Sequence, residues 1–158
     1  MPTLLNPIMM REIIMDHYNN PNNKITPTNT DEYKTIRMDS TSCIDDITIY
    51  LKAKDNKIED VKFDGVACTI CTSSTDIMCD LVKGKNFDEA NKIINEYFNM
   101  IYEKPYDEET LDEAVVFQNT YKQAARIKCA TLGWNGLKEL MNGDEKDGKK
   151  DWYYNWWL

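Results

Sequence analysis

No run in this chain approaches the roughly 18 consecutive apolar residues of a membrane-spanning helix. The opening stretch, MPTLLNPIMMREIIMDHY, carries charges inside its apolar residues and so does not read as a secretory leader. Basic charge is also scarce. Lys and Arg number 19 against 27 Asp and Glu, for a formal net charge of -8. A duplex-binding protein needs a basic face to neutralise phosphates, and no segment supplies one, which sets aside nucleic acid and anionic membrane surfaces as partners. Internal repeats are absent, and no low-complexity linker precedes the last fifteen residues. A disulfide framework is excluded too, because the five cysteines are an odd number in a chain without an export signal. Such a chain is expected in the cytoplasm, its thiols reduced and serving a metal or a reactive sulfur.

What is present suits one domain. A chain of 158 residues with 42% hydrophobic content fills one sizeable core without a covalent staple. Apolar residues at roughly helical spacing predict a first helix over residues 5–18, stopped by Asn19-Asn20-Pro21-Asn22-Asn23. Three strand-like runs follow: Tyr33 to Met38, Ile47 to Leu51 continued by Lys52 to Lys54, and Ile58 to Phe63 after the turn signal Asp55-Asn56. Strands this close together must pair as an antiparallel meander, because parallel neighbours need long crossovers. Beyond Gly65 the pattern is helical. Helices are expected at Thr72 to Lys83, capped by Gly84, and at Phe87 to Tyr102; a weaker segment begins in the acidic run Asp107 to Glu113, and a last helix spans Ala130 to Met141. The fold class is therefore α+β, a small three-stranded antiparallel meander sheet packed against helices. Residues 1–142 form the domain. Residues 143–158 are a polar then aromatic tail, expected to fold back onto the domain's own surface in preference to a partner.

The chemistry lies in Cys43, Asp45, Cys68, Cys71, Cys79 and Cys129. Cys43 and Asp45 are two apart just before a strand, so thiol and carboxylate can point to one ion. Cys68 follows the third strand and precedes a helix, where backbone N–H groups favour a thiolate. Cys129 lies beside Arg126 and Lys128 at the expected start of the last helix, again an electropositive setting. Cys43, Asp45, Cys68 and Cys129 thus make a four-ligand set of easily ionised groups. Free cysteines also simply fill cores, which is the better reading for Cys79 and, less strongly, for Cys71. Cys68-Thr69-Ile70-Cys71 has the form of a thioredoxin-type redox pair, but that motif needs a βαβ context that a meander does not provide. The residues alone leave the metal site and plain core packing both open.

Three segments in register resemble one family. Asp16-His17-Tyr18-Asn19-Asn20-Pro21-Asn22 is similar to the N-terminal motif of the IscU/NifU/SufU iron–sulfur assembly proteins. Ser42-Cys43-Ile44-Asp45 stands where that family usually reads Cys-Gly-Asp. Gly65 to Ile70 and Ala125 to Trp134 resemble its second and third cysteine segments. Lys128 replaces the histidine that IscU-type members carry before the third cysteine, and the stretch from Tyr106 to Tyr121 is long; both features resemble the SufU branch.

The resemblance implies Zn²⁺ held by Cys43, Asp45, Cys68 and Cys129, and sulfane sulfur accepted from a pyridoxal-phosphate cysteine desulfurase of SufS type and passed to a downstream scaffold or acceptor. Cys43 is the expected persulfide carrier and Cys129 the second, with Arg126, like Lys128, offsetting the negative charge. A scaffold building a [2Fe–2S] cluster on the same ligands is the alternative. A purely structural zinc module for protein contacts is the third reading. Ile44, where the family has glycine, is expected to stiffen the Cys43 loop, while Cys71 and Cys79 are extra thiols that could accept sulfur. His17 is expected to be a helix-face residue with a satisfied hydrogen bond, and Asp107 to Glu113 a solvated helix start that could instead steer a partner.

Overall fold

The computed structural model describes residues 5–41 and 43–143. Its first helix, α1 (Pro7–Asn19), starts where Asn6 Oδ1 accepts the Met9 amide at 2.8 Å and proline takes the first helical position. Strands β1 (Lys34–Asp39), β2 (Asp46–Lys54) and β3 (Lys57–Val66) pair in chain order, each antiparallel to the next. Helices α2 (Thr69–Val82), α3 (Phe87–Ile101), the single turn α4 (Glu108–Leu111) and α5 (Ala124–Met141) follow. Short 3₁₀ turns cover Asp112–Phe117 and Thr120–Lys122 on the way to α5. The α+β class and the meander are as the sequence predicts.

One face of the sheet is core. Ile36 and Met38 of β1, Ile47, Ile49 and Leu51 of β2, and Val61 and Phe63 of β3 are all buried, at every second position of their strands. In register, Ile36 lies opposite Ile49, and Ile49 opposite Phe63. The other half of the core is α2, whose residues Cys71 to Cys79 are all buried. α1 and α5 both pack on it. The approach of α5 depends on Gly133: a β-carbon there would run into the Thr75 side chain.

Three expectations shift. α2 begins at Thr69, three residues before the predicted start, because Cys68 itself caps it, and it ends at Val82 with Lys83 as its cap in place of the expected Gly84, which follows with φ 84°. α5 begins at Ala124 and not near Ala130. Its first turn is exposed and carries no apolar period, although Ala and Arg are good helix formers. α1 turns Met10, Ile13, Ile14 and His17 toward the core while Ile8, Met9 and Met15 stay exposed, so only part of the expected apolar stripe faces inward. Among the described residues no helix is long and apolar enough to cross a membrane. The expected tail lies, from residue 144 on, outside the described residues.

Candidate metal centre

The meander and the first turn of α2 bring three of the four predicted ligands together. Cys43 and Asp45 occupy the loop between β1 and β2, which the Ser40 amide closes by donating to the Asp45 carbonyl at 3.0 Å. Asp45 is 1% exposed, and its Oδ1 accepts the Cys68 amide at 2.8 Å. Its other oxygen, Oδ2, is 3.8 Å from Cys68 Sγ. Cys68 is the N-cap of α2, with the Cys71 amide 3.5 Å from its sulfur. The fourth predicted ligand arrives on α5, where Cys129 Sγ lies 3.7 Å from Cys43 Sγ.

All four donor atoms fall within 4.8 Å of one another. Zn²⁺ with thiolate bonds of about 2.3 Å requires donor separations of about 3.8 Å at the corners of a tetrahedron. The Cys43–Cys129 sulfur pair, 3.7 Å apart, meets that requirement, and the Cys68 Sγ–Asp45 Oδ2 pair at 3.8 Å is close to the spacing of about 3.6 Å that a shorter Zn–O bond sets. Three sulfurs and one carboxylate oxygen are also donors that zinc accepts, so the set fits the ion in kind and in spacing.

Cys68 and Cys129 are not easily ionised, contrary to the sequence expectation. Burial pushes the Cys68 thiol above its ordinary range, with the nearby Asp45 carboxylate adding to the effect. Cys129 is raised further, first by burial and then by its contacts with Cys68 and Asp45. The early start of α5 removes the helix N-terminus that was to favour its thiolate: Cys129 sits in the second turn. Ionising the cluster would gather negative charge with no cation among its four members, and a bound metal ion is what would stabilise the ionised form.

A cleft of about 530 Å³ opens beside the cluster, lined by Tyr18, Ile44, Cys68, Ile70, Gln123 and Arg126, among others. Ile44 is 65% exposed at its rim. Arg126 therefore lies next to the site as expected, while Lys128 is exposed and is not among the lining residues.

Cys71 and Cys79 are both 0% exposed. The core reading holds for them, and the idea that they accept sulfur from a partner fails, since no partner can reach them. All five cysteines are free thiols.

His17 anchors a different constellation. Its Nδ1 lies 2.6 Å from Asp76 Oδ2 and its Nε2 2.8 Å from Glu113 Oε1. These two hydrogen bonds hold its pKa up at about 10, so the ring is a buried imidazolium. Asp76 also accepts the amides of Asn22 and Asn23 and the Asn23 side chain. This network fixes the rotation of α1 seen above. His17 is satisfied, as predicted. Glu113, however, leaves the acidic run to pair with it, a contact that no local pattern announces; the one available signal was an aspartate, Asp76, within the otherwise uncharged stretch Thr69 to Cys79 of a predicted helix.

A profile of the NifU-like N-terminal domain matches residues 9–130. The zinc-dependent sulfurtransferase SufU of Bacillus subtilis is 34% identical over 138 residues, covering 87% of this chain and 92% of that protein. The iron–sulfur cluster assembly scaffold protein IscU of Streptococcus pyogenes is 35% identical over 131 residues, covering 82% of this chain and 80% of its own. Among solved structures, a SUF-system iron–sulfur cluster assembly scaffold protein from Fervidobacterium islandicum superposes with a TM-score of 0.74 at 31% identity, over 80% of this chain and 92% of that one.

Proposed function

The chain belongs to the NifU-like N-terminal domain family, to which IscU and SufU proteins belong, and from that premise we propose that it takes up sulfur as a persulfide from a cysteine desulfurase for iron–sulfur cluster assembly. Cys43, Asp45, Cys68 and Cys129 are the residues to hold Zn²⁺. The observation that carries this reading is their convergence within 4.8 Å beside an open cleft. Zinc, when bound, keeps the thiols deprotonated and shielded.

Cys43 is the acceptor on this reading. It is half-buried on a loop, whereas Cys129 is 2% exposed and fixed in a helix. In the transfer, the Cys43 thiolate attacks the outer sulfur of the desulfurase persulfide. A new S–S bond forms, the old one breaks, and the desulfurase cysteine leaves as its thiolate. Arg126 at the cleft offsets the negative charge that gathers there. Lys128, where IscU-type members carry a histidine, supports sulfur transfer over assembly of a [2Fe–2S] cluster on the same ligands. The open cleft argues against a purely structural zinc module.

The test is to incubate the zinc-loaded chain with a SufS-type desulfurase and cysteine, then to map sulfane sulfur by mass spectrometry. The extra sulfur is expected on Cys43, and Cys43→Ala should abolish uptake. Asp45→Cys should keep zinc yet slow uptake, because a fourth thiolate closes the site. A brown, iron-containing preparation that takes up no sulfur would move the assignment to a cluster scaffold.

A further inference from the structure

Cys71 has no role in the four-donor set, yet it lies directly beneath it. Cys68 caps α2 and Cys71 is the third residue of the helix, with its amide 3.5 Å from Cys68 Sγ. Helix geometry puts the α-carbons of residues three apart about 5 Å from each other, inside the range of about 4.4–6.8 Å that a disulfide spans. Their β-carbons, about 5–6 Å apart, must close to about 4 Å. That adjustment falls on the cap residue Cys68, which lies outside the helix proper. The two thiols differ in access. Cys68 lines the cleft and is the only thiol among the residues that do. Cys71 is 0% exposed. A small oxidant entering the cleft therefore meets Cys68 first, and Cys71 can react only with its neighbour.

We propose that Cys68 and Cys71 form a reversible disulfide under peroxide, withdrawing one ligand from the metal set and releasing the ion. The proposal rests on the four-donor reading above. Cys68 Sγ attacks the peroxide O–O bond, and one oxygen leaves as water, giving a sulfenic acid. Cys71 Sγ then attacks that sulfur; the S–S bond forms and the hydroxyl leaves as a second water. Two thiols lose two electrons and two protons, and peroxide takes up both. A dithiol reverses the change. With Cys68 bridged, only Cys43, Asp45 and Cys129 remain as donors, an open set of three.

The experiment treats the full zinc-loaded chain with a small excess of hydrogen peroxide, follows zinc with a chromophoric chelator, and maps disulfides in a tryptic digest. The peptide from Phe63 to Lys83 should lose two hydrogens without joining another peptide, about one zinc per chain should appear, and dithiothreitol should restore both. Cys71→Ser should release zinc at least about tenfold more slowly at the same dose. Cys71→Ala guards against a misfolded serine variant, and Cys79→Ser should behave as the parent. A cross-link between the Cys43 and Cys129 peptides, whose sulfurs are 3.7 Å apart, or equal zinc release from both Cys71 variants, would overturn the proposal. A chain that takes up no zinc overturns the four-donor reading and the release step with it. A chain that takes up zinc but forms no bridge overturns the pair alone.

Discussion

Two groups of ligand-type side chains lie along α2, and by proximity they look alike. Cys43, Asp45, Cys68 and Cys129 meet at its N-terminus, while His17, Asp76 and Asp80 meet about two turns further on; within each group the donor atoms lie within 4.8 Å of one another. Their chemistry is opposite. The second group already contains its cation, an imidazolium bonded to carboxylates at 2.6 and 2.8 Å, with Asp76 further satisfied by Asn22 and Asn23. The first has the Cys43 and Cys129 sulfurs 3.7 Å apart, the Cys68 and Cys129 thiols pushed up by burial, and no cationic side chain among its four members. Closeness of donors therefore does not make a metal site. What separates the two is whether the donors are already neutralised and hydrogen-bonded.

The largest effect should come from a chelator. A ligand present at about a thousand times its dissociation constant stabilises by about 4 kcal/mol, so stripping zinc should lower the melting temperature of the parent by about 10 °C or more. His17→Ala should show the same drop on chelation, and Cys68→Ala none. If Cys68→Ala responds like the parent, the ion sits elsewhere.

Next in size is the loss of the buried imidazolium. His17→Ala should cost about 3 kcal/mol in urea unfolding, because it leaves Asp76 with a buried and uncompensated charge. Zinc content should not change. A variant as stable as the parent would show that the network is incidental.

The smallest effect is a pH dependence. The folded pKa of His17 is about 10 against an ordinary 6.5. Its contribution is full below pH 6.5 and is lost as pH rises toward 10, because the folded state binds the proton that the unfolded state releases. Stability of the zinc-free chain should fall by at most about 1.4 kcal/mol between pH 7 and pH 8, and His17→Ala should lack this slope. A parent whose stability rises across that interval would contradict the assignment.

The sheet was legible because alternation is local: Ile47, Ile49 and Leu51 announce their buried face within five residues. The four candidate donors could be placed beside predicted elements, but the residues alone left core packing open for them, and the family resemblance was what singled them out as a set. Other features were not legible. The exposed first turn of α5 has no apolar period, so Cys129 was expected at a helix start that in fact lies five residues upstream. The ionisation of Cys68 and Cys129 was misjudged because burial is a tertiary property. The pairing of His17 with Asp76 and Glu113 spans 59 and 96 residues, and no spacing rule reaches that far.

The central claim is that the cluster at the start of α2 holds one metal ion and the His17 network holds none. A competition titration with a chromophoric zinc chelator on the parent, Cys68→Ala and His17→Ala tests it directly. Removing even an outer-shell partner typically weakens a site by about 10–100-fold, so loss of a ligand in Cys68→Ala should weaken zinc by about 100-fold or more. His17→Ala should bind as the parent does. Equal weakening in both variants, or full affinity in Cys68→Ala, would contradict the account.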